Sequence, residues 1–266
     1  MTANPFLDPN SIRSNLYGDA ARITQRTTAL RRAKTAGRHP ADVIADLAST
    51  GPRGTVVDIG CGRGTTTLTL AQRLAPPRLI GFDQSAALLT VAARRLAGHG
   101  CVEFLQGDFH AIALADASAM VTVAAFCLYH SPCPASAVAE IARCLAPGGI
   151  SITVTKSADS YQTLNEAITA SGLDPGAGDR PSLYATFHSR NQADIVAGSL
   201  QVQQVIHDEH RFRFADADHI AAYAATTPRY ELPGTPAEIA ERLKASIGNG
   251  PLETTSTVTY VVATRS

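Results

Sequence analysis

Hydrophobic and polar positions along the chain predict strands and helices that alternate between residues 55 and 155. Five short runs of β-branched and other apolar residues are typical of strands buried on both faces of a parallel sheet. They occupy residues 55–59, 78–83, 101–105, 119–126 and 150–155. Between these runs, apolar residues recur at steps of three and four, which predicts helices. Later runs at residues 200–214 and 254–264 predict two further strands, so the pattern indicates an α/β protein.

Composition narrows the class of protein and of partner. The chain has 266 residues, of which 45% are hydrophobic, and this supports a substantial core. Its 23 Lys and Arg balance 23 Asp and Glu, which disfavours nucleic acid and anionic membranes as partners. The five cysteines lack metal-binding spacing, as expected for reduced thiols. Because the N-terminus lacks a signal pattern and no apolar window could cross a bilayer, we expect a soluble, cytoplasmic protein without a bound metal.

The stretch GTVVDIGCGRGTTTLTLA, residues 54–71, joins the first predicted strand to a helix through three glycines. Glycine lets the backbone approach a ligand closely above the edge of a sheet. The glycines alternate at Gly60, Gly62 and Gly64, and Thr65 stands where a dinucleotide-binding fingerprint has its last glycine. The spacing therefore argues against a nicotinamide-dependent oxidoreductase. A turn that merely connects strand and helix remains as the structural alternative.

The chain resembles the class I S-adenosylmethionine-dependent methyltransferases in the segment Asp58-Ile59-Gly60-Cys61-Gly62-Arg63-Gly64, which matches their motif I. A second resemblance is the segment Leu145-Ala146-Pro147-Gly148-Gly149, which matches their Leu-x-Pro-Gly-Gly turn. The resemblance is strong over residues 50–155. It implies a seven-stranded, mostly parallel, doubly wound sheet with an antiparallel last strand.

The resemblance also implies S-adenosyl-L-methionine as the cofactor. The loop residues Gly60, Cys61, Gly62 and Gly64 are then expected to lie against it. An acidic group suits the cationic aminopropyl end of this cofactor, and Asp58 is expected to serve there.

Two further acidic residues follow the second and third strands. Asp83, with Gln84 beside it, stands where a carboxylate receives ribose hydroxyls, since a carboxylate can accept from both. Asp83 could instead cap the helix that starts near Ser85. In the family, an Asp at the position of Asp108 accepts from the adenine amino group, and Phe109 would pack on the ring. The alternative is a turn aspartate followed by a core phenylalanine.

The end of the fourth strand is the expected place of methyl transfer, because ligands in open α/β sheets lie outside the carboxyl ends of strands. Phe126 is expected to contact the cofactor there. Tyr129 and His130 follow as the candidate catalytic residues. His130 could take a proton from an acceptor, or it could be structural.

We expect residues 1–50 to form an N-terminal helical cap, with Tyr17 covering the cofactor, and residues 51–266 to form the main domain. Residues 172–190 are rich in Gly, Pro and Asp and long for a connector, which is typical of a lid insertion. Within them Leu183, Tyr184 and Phe187 are expected to offer apolar surface to a substrate. Acceptor choice would then depend on the cap and the lid.

The sequence thus favours an S-adenosylmethionine-dependent methyltransferase acting on an O, N or C atom of a small molecule, for instance in secondary-metabolite biosynthesis. Its acceptor is not specified by the residues, and a homodimer is left open. The alternative is a protein of the same fold that binds the cofactor and acts as a cyclase or as a non-catalytic partner. A nicotinamide-dependent oxidoreductase is the weakest option, since Thr65 opposes it.

Overall fold

The computed structural model describes Leu7 and residues 20–266. The described α-helices are α1 (Ala20–Ala33), α2 (Pro40–Ala48), α3 (Thr65–Leu74), α4 (Ala86–Arg95), α5 (Pro134–Cys144), α6 (Gln162–Ala170), α7 (Gln192–Ala197), α8 (Ala217–Ala224) and α9 (Pro236–Ile247). The strands are β1 (Lys34–Ala36), β2 (Thr55–Ile59), β3 (Arg78–Asp83), β4 (Val102–Gln106), β5 (Ala119–Ala125), β6 (Leu145–Lys156), β7 (Gln201–Phe214) and β8 (Leu252–Thr264). Short 3₁₀ helices lie at Leu128–His130 and Pro175–Ala177.

The strands form one sheet in the order β1-β7-β8-β6-β5-β2-β3-β4. Strands β2 to β6 pair in parallel, whereas β8 runs antiparallel to β6 and β1 antiparallel to β7. The predicted α/β class and mostly parallel sheet are therefore confirmed. The seven predicted strands correspond to β2–β8. The three-residue β1 is an eighth strand, too short to produce a periodic pattern in the sequence.

The parallel register brings the ends of several strands to one edge of the sheet. Ile59 pairs with Phe82, and Asp83 pairs with Gln106, so β2, β3 and β4 end side by side. Ala124 on β5 pairs with Ile59 on the other side of β2. The loops that follow these four strands are thus placed at the edge where ligands of open α/β sheets bind.

The chain divides into two compact units, each with its own hydrophobic core. The first unit comprises residues up to Gly37 together with Ala158–Ala185 and Asp208–Thr257. The second comprises Arg38–Ser157, Thr186–His207 and Val258–Ser266, and it contains β2 to β6 and the glycine loop. The predicted boundary at residue 50 stays a prediction. None of the helices in the described part of the chain has both the length and the apolar character that a bilayer crossing requires.

Basic side chains of α1 stabilise the first unit. Arg22 donates to the carbonyl of Ala225 and Arg26 to that of Thr226, just beyond the last turn of α8. Cationic donors at the carboxyl end of a helix satisfy its unpaired carbonyls and favour its dipole. The basic residues of α1 thus include two that hold helices of this unit together.

The segment 172–190 differs from the prediction at Phe187. The Phe187 side chain is fully buried, and its carbonyl accepts a hydrogen bond of 2.8 Å from Thr155 Oγ1 on β6. The expectation that Phe187 offers apolar surface to a substrate is therefore wrong, because this residue belongs to the core of the second unit. Tyr184 is half-buried, and a lid role for the segment stays a prediction.

Replacing Phe187 with Ala should lower the free energy of unfolding by about 3–5 kcal/mol, the usual cost of a cavity left by a buried phenylalanine. The matched control is Val205→Ala, since Val205 is 41% exposed and its truncation should change stability little. Urea unfolding followed by circular dichroism measures both. Equal midpoints for the two variants would contradict the burial of Phe187.

Candidate functional site

The loop between β2 and α3 turns through three left-handed glycines. Gly60, Gly62 and Gly64 have φ values of 67°, 55° and 73°. Residues with a Cβ are strained in this region, which explains why glycine recurs at alternate positions. The amides of Gly60 and Cys61 both donate to the carbonyl of Phe82 on β3, at 2.7 and 3.0 Å. The loop is therefore fastened to the neighbouring strand as it leaves β2.

The three glycines differ in what surrounds them. A Cβ on Gly60 would lie 2.5 Å from Cβ of Cys127, and one on Gly64 would lie 2.8 Å from Leu96. A Cβ on Gly62 would meet no atom within 4 Å. Gly60 and Gly64 thus permit close packing of the protein on itself, whereas Gly62 borders open space at the sheet edge. A ligand can come into contact with the backbone at Gly62.

Asp83, at the end of β3, is bonded to this loop. It is 8% exposed, and its Oδ2 accepts from the amide of Gly62 at 2.8 Å while its Oδ1 accepts from the amide of Ser85 at 2.9 Å. Burial raises the pKa of the Asp83 carboxyl, and the backbone donors oppose that rise. Ser85 itself caps α4 by accepting from Leu88, so Asp83 is not the helix cap that the alternative required. A carboxylate with one donor on each oxygen can still accept further hydrogen bonds.

Asp58 lies beneath the loop. It is 1% exposed, and its Oδ2 accepts from Thr67 Oγ1 in the first turn of α3 at 2.6 Å. Burial raises the pKa of the Asp58 carboxyl to about 7, and the nearby Asp83 adds to the rise. Its visible role is to join β2 to α3 through Thr67, and direct contact with a cofactor stays a prediction. Thr67 was not among the predicted site residues.

The loop after β4 carries Asp108, Phe109 and His110. The Asp108 side chain is 67% exposed, and its Oδ1 accepts from the amide of His110 at 2.9 Å and lies 2.7 Å from His110 Nδ1. His110 Nε2 lies 2.8 Å from Oγ of Ser131, which is fully buried. Phe109 is half-buried, with its ring centroid 4.7 Å from that of His110. The adenine acceptor proposed from the sequence is thus one end of a chain of three polar side chains.

Arg143 on α5 also fixes this loop. Its guanidinium donates to the carbonyls of Ile112 and Leu114, both at 2.9 Å, and to the carboxylate of Glu140. Glu140 in turn accepts from the amide of Ile112 at 2.8 Å. Hydrogen bonds to the Glu140 and Asp116 carboxylates raise the pKa of Arg143, so its charge is secure. The loop that presents Asp108 is therefore held by multiple charge-assisted bonds.

Phe126 stands directly after β5 in a left-handed conformation, with φ of 57°. Such a conformation is uncommon for a bulky residue and is concentrated at ligand-binding sites. Its amide donates to the carbonyl of Val154 at 2.9 Å, and Nζ of Lys156 lies 5.8 Å from its ring centroid. Phe126 therefore turns the chain sharply out of the sheet at the expected edge.

Tyr129 and His130 lie in the 3₁₀ helix that follows. Both are buried, at 5% and 8% exposure, and their rings meet edge to face with centroids 4.6 Å apart. The carbonyl of Tyr129 accepts from Thr186 Oγ1 at 3.0 Å. The two candidate catalytic side chains are thus held as a packed pair, and little of either is open to solvent.

The structure gives contacts for some of the remaining predicted residues and does not describe others. Cys61 is a buried residue of the loop itself, and its Sγ lies 3.9 Å from the carbonyl oxygen of Gly62. The carbonyl of Gln84 accepts from Gln106 Nε2 at 3.0 Å. Tyr17 lies outside the described residues. Asp83 is hydrogen-bonded to the glycine loop, and Asp58 is hydrogen-bonded to Thr67 in the helix that follows the loop. Sequence reasoning missed four residues that support the site: Thr67, His110, Ser131 and Arg143.

Comparison with known proteins supports the same family over part of the chain. Residues 56–149 match the family model described as a methyltransferase domain. Trans-aconitate 2-methyltransferase of Acidovorax sp. (strain JS42) is 35% identical over 113 residues, which make up 42% of this chain and 42% of the relative. The chain therefore aligns with less than half the length of this curated relative.

Solved structures extend the likeness of fold over more of the chain. The geranyl diphosphate C-methyltransferase of Streptomyces coelicolor A3(2), solved with Mg²⁺, geranyl diphosphate and S-adenosyl-L-homocysteine, has a TM-score of 0.51 at 18% identity. The alignment covers 85% of this chain and 78% of that one. The [4+2]-cyclase SpnF has a TM-score of 0.53 at 20% identity, covering 85% and 80%.

Residues 56–149 are thus a methyltransferase domain, as the recognition made from motif I predicted. The fold class is confirmed, and the solved structure that holds S-adenosyl-L-homocysteine in this fold supports S-adenosylmethionine as the cofactor. The residues present fit that cofactor, because Gly62 borders open space and the adjoining Asp83 keeps acceptor capacity for hydroxyl groups.

Replacing Gly62 with Ala should weaken binding of S-adenosylhomocysteine about tenfold or more, because the new Cβ enters the space a ligand would occupy. The left-handed conformation adds a stability cost of about 1–2 kcal/mol. Gly148→Ala is the matched control, since Gly148 has φ of 74° and equally open surroundings but belongs to the turn before the buried part of β6. Calorimetric titration should show lost affinity for Gly62→Ala alone. Equal affinities in the two variants would contradict the placement of the ligand.

Asp58 should make stability depend on pH. Its folded-state pKa of about 7 lies above the value of an ordinary aspartate, about 3.9, so the folded protein binds more protons between these pH values. The free energy of unfolding should therefore fall as pH rises from about 4 to about 7, by up to roughly 4 kcal/mol. In Asp58→Asn, which keeps an acceptor for Thr67, this slope should largely disappear.

Urea unfolding at pH 5, 6, 7 and 8 in the absence of ligand measures the slope. Asp194→Asn removes the same charge from an exposed position of α7 and serves as the control. Parallel stability curves for the wild type and Asp58→Asn would show that Asp58 is not the group responsible.

Proposed function

We propose that the chain transfers a methyl group from S-adenosylmethionine to an O, N or C atom of a small-molecule acceptor. The observation that carries the proposal is the open space beside Gly62, at the carboxyl edge of the parallel strands and next to Asp83. When bound, the cofactor supplies a methyl group on a sulfonium, which is already activated toward attack by an acceptor. The protein is then left chiefly with positioning the reactants and excluding water.

The cofactor-binding residues divide this work. Asp83 accepts from the ribose hydroxyls, and the bond it already receives from Gly62 sets the distance between ribose and loop. Asp108 accepts from the adenine amino group, for which its exposed carboxylate is suited, while Phe109 packs on the ring. The loop amides and Phe126 line the remainder. The residues after β5 would then form the acceptor side of the site.

Tyr129 and His130 occupy the acceptor side. Their buried, mutually packed rings hold that side fixed and limit the access of water to the reacting atoms. His130 takes the proton where the acceptor is a hydroxyl or an acidic carbon, and amine or phenolate acceptors do not require it. The names of relatives that act on small molecules, together with the balanced charge, favour a small acceptor and a cytoplasmic biosynthetic role.

The alternative function is cofactor binding without methyl transfer, as in a cyclase or a non-catalytic partner. The likeness of fold to the [4+2]-cyclase SpnF keeps this alternative in view. The glycine loop would bind the cofactor in either case. The two functions differ in whether S-adenosylhomocysteine is produced.

The test is turnover of S-adenosylmethionine labelled in its methyl group, with panels of carboxylic acids, phenols, amines and prenyl diphosphates as acceptors. We expect S-adenosylhomocysteine release and a labelled product with one of these classes, and a large loss of turnover in Asp83→Ala. That variant should weaken cofactor binding by about 30- to 150-fold, from the loss of charge-assisted bonds. Tight cofactor binding without label transfer to any acceptor would favour the non-catalytic alternative. Binding of NAD instead would contradict the proposal.

A further inference from the structure

The hydrogen-bonded side chains of Asp108, His110 and Ser131 connect the loops after two strands that are not neighbours in the sheet. Asp108 and His110 follow β4, whereas Ser131 follows β5, and β2 and β3 lie between these two strands. Ser131 comes directly after His130, in the segment that carries the candidate catalytic residues. This hydrogen-bonded series of side chains therefore runs from the expected adenine position to the acceptor side.

The direction of each hydrogen bond follows from the donors available. An ionised Asp108 carboxylate can only accept, so His110 Nδ1, 2.7 Å away, carries the proton and donates it. In the neutral ring, Nε2 then accepts from the Ser131 hydroxyl at 2.8 Å. Ser131 Oγ also accepts from the amide of Cys133 at 3.0 Å, which fixes the hydroxyl in place. Both ring nitrogens of His110 and the hydroxyl of Ser131 thus have partners in this single arrangement.

The arrangement leaves one side of Asp108 available to a ligand. Among the described residues, both hydrogen bonds to the carboxylate end on Oδ1, from the amide and from the ring of His110. Oδ2 belongs to a side chain that is 67% exposed. A carboxylate held by one oxygen at an exposed position presents the other in a fixed direction, and this matters for reading a single amino group.

We propose that His110 is a positioning residue, held by Ser131, which orients Asp108 so that its Oδ2 reads the exocyclic amino group of adenine. The proposal rests on the proposed cofactor site. An exposed aspartate without this support would rotate among several rotamers, and ordering it at binding would reduce both affinity and discrimination. His110 does not touch the ligand in this proposal. It nevertheless determines the selectivity for adenine over a purine that carries an oxygen in place of the exocyclic amino group.

The experiment compares S-adenosylhomocysteine with S-inosylhomocysteine, in which a carbonyl oxygen replaces the amino group. Calorimetry gives the ratio of the two dissociation constants for each full-length variant. His110→Phe keeps a ring beside Phe109 but removes the donor to Asp108, and should lower the preference for the adenosyl ligand about tenfold. His110→Asn keeps a donor near the place of Nδ1 and should retain most of the preference. Ser131→Ala should lower the ratio less than His110→Phe.

Two controls separate this proposal from the site on which it rests. Asp108→Asn replaces an acceptor by a donor and should shift the preference toward the inosyl ligand, which tests the adenine assignment itself. Ser118→Ala removes a hydroxyl bonded to the carbonyl of Ala115 before β5 and should leave the ratio unchanged. Thermal melting without ligand shows that the variants are folded.

An unchanged ratio in His110→Phe, with a shifted ratio in Asp108→Asn, would overturn the positioning role while keeping the adenine site. Equal losses in His110→Phe and His110→Asn would also overturn it, since bulk packing would then explain the effect. An unchanged ratio in Asp108→Asn would overturn both assignments. Failure of the wild type to bind either ligand would instead count against the proposed function.

Discussion

The hydrogen bond from the amide of Gly62 to the carboxylate of Asp83 is the interaction on which the site depends. It joins the loop after β2 to the end of β3. The same carboxylate also accepts from the amide of Ser85, the residue that precedes α4. Burial of Asp83 raises the pKa of its carboxyl, and these backbone donors oppose that rise. A ribose-bearing ligand would require these two features, a fixed loop and a carboxylate that can accept further hydrogen bonds.

A second layer of support lies outside the expected contacts with the cofactor. Thr67 bonds the buried Asp58 beneath the loop, and Arg143 holds the segment that presents Asp108. These residues hold the loops through side-chain and backbone hydrogen bonds. A rigid edge of this kind suits a reaction in which positioning contributes more than proton transfer.

The sequence predicted the parts of the structure that local pattern determines. β2 to β6 and the glycine loop follow from β-branched runs and from glycine spacing, both of which are readable within a few residues. The short strand β1 carries no such pattern. Phe187 was expected at a surface because it lies in a segment rich in Gly and Pro, yet tertiary packing buries it completely.

The polar network was beyond prediction for a different reason. His110 and Ser131 are 21 positions apart and follow strands that are not adjacent, so only the folded sheet brings their side chains together. Thr67 could have been suspected, since a hydroxyl in the first turn of a helix often bonds a nearby polar group. The roles of Asp58, Asp83, Asp108, Tyr129 and His130 toward ligands remain predictions, and Tyr17 lies outside the described residues.

A crystal structure of the complex with S-adenosylhomocysteine tests the central claim most directly. We predict that both ribose hydroxyls lie within about 2.6–3.0 Å of the Asp83 carboxylate oxygens, and that the ligand contacts the backbone at Gly62. A ligand seated elsewhere, with Asp83 bonded only to backbone amides and the space beside Gly62 still open, would contradict this account.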